Sequence, residues 1–422
     1  MALCESAVLG VSVVRVLMLS WEHPPYVVGG LGRHVAELAP ALVRAGVEVH
    51  IVTQIPGLLS MASRDGLAAG IPSHEVTEAG VIVHRVPLAN DNADIYDEAC
   101  QTNQAVQALA GALIDGGLKF DLIHAHDWLM VFAAYELKTQ YHLPLIATIH
   151  ATEQGRMRGG VLYTDLQRNI HGAEQWLAYE AVRVIVCSHH MASEVQSIFH
   201  TPAEKIDVVP NGVNFCENGR CSPTDLEACR IRYTASGGPI IFTVGRLVHE
   251  KGFHLLVEAA PRILAEFPNA HFVIAGQGPE APYLAEHARA LDIAEHVSLP
   301  GFVDDKERDC LYRLANCAVF PSLYEPFGIV ALEAMAAGCP VVVTEIGGFR
   351  EVVRHDKTGI TVYPNDAYSL AWGVLHTLRD PALAAARAEE ARQAVCCEFN
   401  WGTIAERTKA VYEKVLDETQ HE

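Results

Sequence analysis

Short runs rich in β-branched residues alternate with segments of helical period, and the alternation runs through this chain twice. Val13–Ser20 (VVRVLMLS) is followed by a glycine-rich loop and then by Arg33–Gly46 (RHVAELAPALVRAG), whose apolar residues recur at helical spacing up to a glycine stop. Val47–Thr53 (VEVHIVT) reads as the next strand, and VIVHRVP, DLIHAH, LPLIATIH and VRVIVCS follow, most of them separated by helical stretches. Strands this apolar, separated by helices, belong to a parallel sheet covered on both faces. From Val208 to Pro223 (VVPNGVNFCENGRCSP) the chain turns rich in Asn, Gly and Pro and reads as loop. The pattern then restarts with the strand Pro239–Gly245 (PIIFTVG), the helix Phe253–Phe267, and the strands Ala270–Gly276, Cys317–Ser322 and Cys339–Thr344. We therefore expect an α/β chain of two doubly wound domains, residues 1–208 and 239–398, joined by a linker over 209–238 and followed by an amphipathic helix within 399–422. Sheets of this kind bind ligands outside the carboxyl ends of their strands, and two in tandem would face a cleft.

The length of 422 residues exceeds one ordinary core and suits two domains of about 200 residues. A formal charge of −20 makes nucleic acid or an anionic membrane surface a poor partner. An anionic substrate would need a local cationic pocket. Eleven cysteines, several of them (Cys187, Cys317, Cys339) in or beside apolar runs, read as reduced thiols of a cytoplasmic protein. Cys216 and Cys221 are five positions apart, but no second Cys or His pair at zinc-ribbon spacing accompanies them, so no metal is expected. The apolar N-terminus lacks a basic start and carries Glu5 and Arg15, which does not suit a signal peptide. The longest apolar run, GIVALEAMAAGCPVVV, is interrupted by Glu333 and Pro340, short of the roughly 18 clean residues of a membrane span.

Four stretches can carry chemistry. In PSLYEPFGIVALEAMAAG (Pro321–Gly338), Pro326 pushes Glu325 out of helical geometry and Gly328 permits a tight turn. A helix starting near Ile329 would leave the amides of Gly328, Ile329 and Val330 as donors suited to phosphate. Glu325 and Glu333 would then accept hydrogen bonds from sugar and ribose hydroxyls; two solvent-facing glutamates on an ordinary helix are the alternative. GRLVHEKGF follows a strand and opens a helix, so Arg246 and Lys251 suit a departing diphosphate, or are solvated surface cations. PPYVVGGLGRHV places Gly29, Gly30 and Gly32 after the first strand, with a spacing that is not that of a dinucleotide fingerprint. HAHDW puts His124 and His126 on one face of a strand end, which raises metal binding; Asp127 fits substrate contact better, and His150 ends a neighbouring strand.

Together, SWEHPPYVVGGLGRHV, HAHDW, TIHATE, VVPNGV, TVGRLVHEKG and PSLYEPFGIVALEAMAAG, in this order from Ser20 to Glu351, resemble the family-4 retaining glycosyltransferases of GT-B fold, and more closely their glycogen-synthase-like members. The resemblance implies two Rossmann-like domains closing on a nucleotide-sugar without a catalytic metal or a bound cofactor. It implies that Arg246 and Lys251 hold the diphosphate and that Glu325 binds the transferred sugar. Glu333 would hold the ribose, and Phe327, Gly328 and Ile329 would line the donor. Gly29 and Gly30 would approach the diphosphate, with His150 near the reacting carbon, Asp127 beside sugar or acceptor, and the C-terminal helix crossing back to the first domain. Related ADP-glucose-using synthases carry K-x-G-G-L-G-D; here Val27 stands at the lysine and Arg33 at the aspartate, which weakens ADP-glucose as the sole donor. UDP- or ADP-glucose is favoured as donor and an α-1,4-glucan as acceptor. Hexosyl or mannosyl transfer to a small-molecule or lipid acceptor stays open, as does the oligomeric state. A glycoside hydrolase would also want two carboxylates but not the two cations. A sugar-nucleotide epimerase would need no acceptor, and a non-catalytic nucleotide-sugar sensor would not need His150 or Asp127.

Overall fold

The computed structural model describes residues 13–55, 71–87, 94–214, 221–233 and 237–420; Cys216 and parts of the expected linker and N-terminal run lie outside them. The strands fall into two sheets. The first holds β1 (Arg15–Leu19), β2 (Glu48–Ile55), β3 (His74–Val76), β4 (Ile82–Pro87), β5 (Leu122–His126), β6 (Leu145–Ile149), β7 (Arg183–Val186) and β8 (Ile206–Val208), in the order β3-β4-β2-β1-β5-β6-β7-β8. β3 runs antiparallel to β4, whereas β4, β2, β1, β5 and β6 pair in parallel. The second holds β9 (Ile240–Val244), β10 (His271–Ala275), β11 (Val297–Gly301), β12 (Cys317–Phe320), β13 (Val341–Thr344) and β14 (Ile360–Val362), in the order β11-β10-β9-β12-β13-β14, parallel throughout. Both are doubly wound α/β sheets, and every strand read from the sequence is present, with bounds moved by at most two residues.

The described residues form two compact units. One comprises Met1–Thr148, Gly172–Val184 and Ala405–Glu422; the other comprises Ile149–His171 and Ile185–Ile404. In the first, β5 is fully buried, β1 is buried from Val16 onward, and the helix Gly30–Arg44 lays Leu31, Val35, Leu38 and Leu42 inward at helical spacing. The C-terminal helix Trp401–Gln420 brings Tyr412 into this unit, where its hydroxyl lies 2.7 Å from His124 Nδ1, and Lys409 donates to the Ala45 carbonyl. In the second, Ile241, Leu256, Phe272, Val319, Val342 and Val374 meet in one core cluster. Central strands such as IIFTV and VVVT bury both faces, which is why they are apolar without alternation.

The reading of the cysteines as thiols is corrected at one pair. Cys221 is bonded to Cys310, whose Cα atoms are 5.8 Å apart, because the helices Pro223–Tyr233 and Asp305–Leu314 pack together. Among the described residues, no helix is long and apolar enough to cross a membrane.

Candidate active site

The strand order of the second sheet reverses between β9 and β12, so the loops leaving their carboxyl ends flank the switch point where doubly wound sheets take ligands. Those loops carry Arg246–Gly252 and Pro321–Gly328. They are laced together: the amides of Leu323 and Tyr324 both donate to the Glu250 carbonyl, at 2.7 and 3.3 Å. Gly252 has φ +66°, and a Cβ there would stand 2.1 Å from the Pro321 carbonyl oxygen, so this close approach requires glycine.

The lacing brings two of the expected residues into contact. Lys251 Nζ donates to Glu325 Oε2 at 2.8 Å, and the Ser322 hydroxyl donates to the same oxygen at 3.1 Å. The Glu325 carboxylate is buried, and these two donors come one from each loop. Arg246 is exposed and its Nη2 lies 3.7 Å from Glu250, a long ion pair.

Gly328 has φ +106° and caps the helix Ile329–Ala336. The first intrahelical bonds run from Ala331 and Leu332 to the Gly328 carbonyl, so the amides of Gly328, Ile329 and Val330 stand outside the ladder, where a helix terminus favours an anion. Phe327 is buried with its ring edge-on to Phe399, which leaves its backbone as the part able to meet a ligand. Glu333 lies within the first two turns of the helix and is held by Arg308 Nε at 3.4 Å and the Tyr312 hydroxyl at 3.4 Å. Burial opposes the Arg308 charge, but Glu333, Tyr312, Asp305 and Asp309 outweigh it and raise the pKa further.

His150 follows β6, and burial pushes its pKa down to about 3, which favours the neutral imidazole. Two residues on, the Thr152 amide donates to the Tyr324 hydroxyl at 3.2 Å, and both hydroxyls donate to Glu194 Oε1, at 2.6 Å from Thr152 and 2.8 Å from Tyr324. Burial, then the Glu194 charge, holds the Tyr324 hydroxyl protonated. The segment after His150 is thereby fixed to the residue preceding Glu325.

In the first unit the strand order reverses between β1 and β5, and the loops after them hold Gly29, Gly30 and Asp127. Gly29 caps the helix Gly30–Arg44, and the amides of Val28 and Gly29 donate to Glu22 Oε2 at 2.7 and 3.0 Å. A carboxylate therefore occupies the donor positions expected for a diphosphate. Asp127 has φ 58° and ψ 171°, a backbone state costly to any residue but glycine. His124 and His126 do share one face, their ring centroids 4.3 Å apart.

Residues 28–215 match the family described as Glycosyltransferase Family 4, and residues 230–394 match Glycosyl transferases group 1. The glycogen synthase of Mycobacterium tuberculosis is 37% identical over 410 residues, covering 94% of each chain. The chain is a family-4 glycosyltransferase. An uncharacterized glycosyltransferase of Methanocaldococcus jannaschii shares 37% identity over 413 residues, 96% of this chain and 99% of that one. The sucrose-phosphate synthase structure from Thermosynechococcus elongatus superposes with a TM-score of 0.77 at 24% identity, covering 96% of this chain and 99% of that one. The catalytic domain of starch synthase IV from Arabidopsis thaliana, bound to ADP and acarbose, superposes with a TM-score of 0.75 at 19% identity, covering 96% and 100%. These likenesses give the glycosyltransferase the GT-B fold, and its glycogen-synthase-like character rests on the first relative.

Sequence reasoning left Arg308, Ser322, Tyr324, Glu194 and Glu22 of the glycosyltransferase unremarked. Each acts on an expected residue or its immediate neighbour through a contact made far along the chain, and no local spacing announces such a contact. Glu22 and Ser322 are the exceptions: Glu22 lies six and seven residues before the amides it accepts from, and Ser322 three residues before Glu325.

Proposed function

We propose that this glycosyltransferase moves a hexosyl group, glucosyl in the first instance, from a nucleoside-diphosphate sugar to an α-1,4-glucan. In this reading the configuration is retained and no metal takes part in the chemical step. The observation that carries it is the convergence of Lys251 with Glu325 at the end of β12, three residues before the Gly328 turn and its outward amides. A diphosphate seated on those amides meets cations from the neighbouring loop, and the buried Glu325 offers an acceptor for a sugar hydroxyl.

The bond between the anomeric carbon and the diphosphate oxygen breaks, and its electron pair goes to the diphosphate. The acceptor hydroxyl attacks the oxocarbenium-like carbon from the same face and gives its proton to the departing oxygen. Arg246, Lys251 and the helix amides stabilise the growing charge, and such preorganised electrostatic stabilisation is the main source of rate in reactions of this type. Glu333 takes the ribose hydroxyls, and the neutral His150 serves as a hydrogen-bonding partner of the sugar. Gly30 and Asp127 keep the donor and substrate roles that the resemblance implies, and Gly29 takes its role where a diphosphate displaces Glu22 from its amide.

The glucan acceptor is supported by the glycogen synthase relative, and an ADP or UDP donor by the ADP-bound starch synthase of the same fold and by the open choice at Val27. We place the activity in the cytoplasm; the free thiols of Cys187, Cys317 and Cys339 weigh for this and the Cys221–Cys310 bond against it. The test is a panel of ADP-, UDP- and GDP-glucose, each with and without glycogen, reading nucleoside diphosphate release. Glycogen-dependent release from ADP- or UDP-glucose is expected. Release that ignores glycogen overturns the acceptor, and binding without consumption over hours overturns the enzyme in favour of a sensor.

A further inference from the structure

The loops after β9 and β10 bring together three metal-ligating side chains that the transfer reaction does not use. His249 lies in the turn between Arg246 and Lys251, His254 in the first turn of the helix Phe253–Leu264, and Glu280 caps the helix Ala281–Ala290. One ligand atom from each lies within 4.8 Å of the others. The backbone fixes this grouping: the Glu280 amide donates to the Leu247 carbonyl at 2.9 Å, and the Leu247 amide donates to the Gln277 carbonyl at 2.8 Å. We propose that His249, His254 and Glu280 bind a divalent transition-metal cation, Zn²⁺ in the first instance, and that the ion ties down the loop carrying Arg246 and Lys251.

Two imidazoles and one carboxylate are a borderline-soft set that suits Zn²⁺, Co²⁺ or Ni²⁺ and disfavours the all-oxygen ions Mg²⁺ and Ca²⁺. Three protein ligands leave a fourth position for water. Tetrahedral bonds of about 2.0–2.1 Å need ligand atoms roughly 3.3 Å apart. The exposed His249 has room to rotate toward that spacing. In the structure the His249 and His254 rings are stacked, centroids 5.0 Å apart and 4° from parallel.

A second observation points the same way. His287, seven residues after Glu280 on the same helix face, is close enough for its charge to act on His254, and its buried Nδ1 has no hydrogen-bond partner. The proposal departs from the metal-free expectation only outside the transfer chemistry, and it stands or falls independently of donor and acceptor identity.

The test is Zn²⁺ titration of the full chain against a chromogenic chelator, with His249→Gln, His254→Ala and Glu280→Gln alongside. The wild type should take up one equivalent that each variant loses or binds at least tenfold more weakly; even an outer partner of a metal ligand typically accounts for about 10–100-fold. Co²⁺ should give a tetrahedral-type visible absorption band that His254→Ala abolishes. Circular dichroism checks the fold, and the exposed His249→Gln decides the matter if His254→Ala does not fold. The proposal is overturned if the wild type takes up no such equivalent, or if His249→Gln and Glu280→Gln retain it at unchanged affinity.

Discussion

The Lys251 ammonium stands 2.8 Å from the Glu325 carboxylate, joining residues 74 apart in sequence. The contact has two separable consequences. On the proposed mechanism Lys251→Ala removes a cation from the leaving group, and it leaves a buried carboxylate that still accepts from the Ser322 hydroxyl but has lost its cation. We expect kcat to fall about 10²–10³-fold and stability to fall by about 1–3 kcal/mol. The double variant Lys251→Ala/Glu325→Gln should recover stability, because the uncompensated charge is gone, and remain inactive. A double variant no more stable than the single one would show that the pair carries no energetic weight.

Arg308 reaches Glu333 from the helix Asp305–Leu314 with its guanidinium almost fully buried. If Glu333 holds the donor ribose, Arg308 acts by fixing that carboxylate. Arg308→Met should raise the donor KM about tenfold, equivalent to ~1.4 kcal/mol, with little change in kcat. Arg308→Lys should recover part of the loss by restoring the charge without the planar fork. Steady-state kinetics with varied donor checks both; a fall in kcat at unchanged KM would contradict the positioning role.

The central strands were legible because burial on both faces leaves a continuous apolar run, as in LIATI and VVVT. The strands not foreseen were short or polar. HEV and IDV offer three residues each, VSLPG contains a proline, and ITV is cut short by the turn before it. The loops of the site were visible as glycine and charge at strand ends. Their partners were not: Lys251 meets Glu325 because β9 and β12 are neighbours in a sheet whose order departs from chain order. Arg308 sits in DDKERDCLYR, where an arginine among acids looks like a solvated face. Cys310, in the same helix, finds Cys221 only through helix packing.

Three histidines form a row in the first unit. His50 Nδ1 lies 3.3 Å from His84 Nε2, and His84 Nδ1 lies 3.3 Å from His74 Nδ1. Burial, then the charges of His50 and His74, lowers the His84 pKa from 6.5 to about 4. The unfolded chain therefore takes up this proton first as pH falls, so stability is fully present above about pH 6.5 and is lost between 6.5 and 4. His50 is shifted in the same direction, chiefly by burial. His84→Gln should flatten the dependence of unfolding free energy on pH in this window by up to one proton. Denaturant unfolding at pH 7, 6, 5 and 4.5 measures it; an unchanged slope would mean that His84 titrates alike folded and unfolded.

Cys221 and Cys310 close a loop of 89 residues, so the bond restricts the unfolded chain strongly. A chain-entropy account gives ~4–5 kcal/mol for a loop of this length. Cys310 lies two residues from both Arg308 and Tyr312, the two side chains that hold Glu333. Loosening its helix should therefore disturb the donor site as well as the fold. Dithiothreitol, or Cys310→Ser, is expected to lower the melting temperature and to raise the donor KM, with the larger effect on melting. A melting temperature that falls while KM stays fixed would confine the bond to a scaffold role, and a reduced protein with both unchanged would deny it even that.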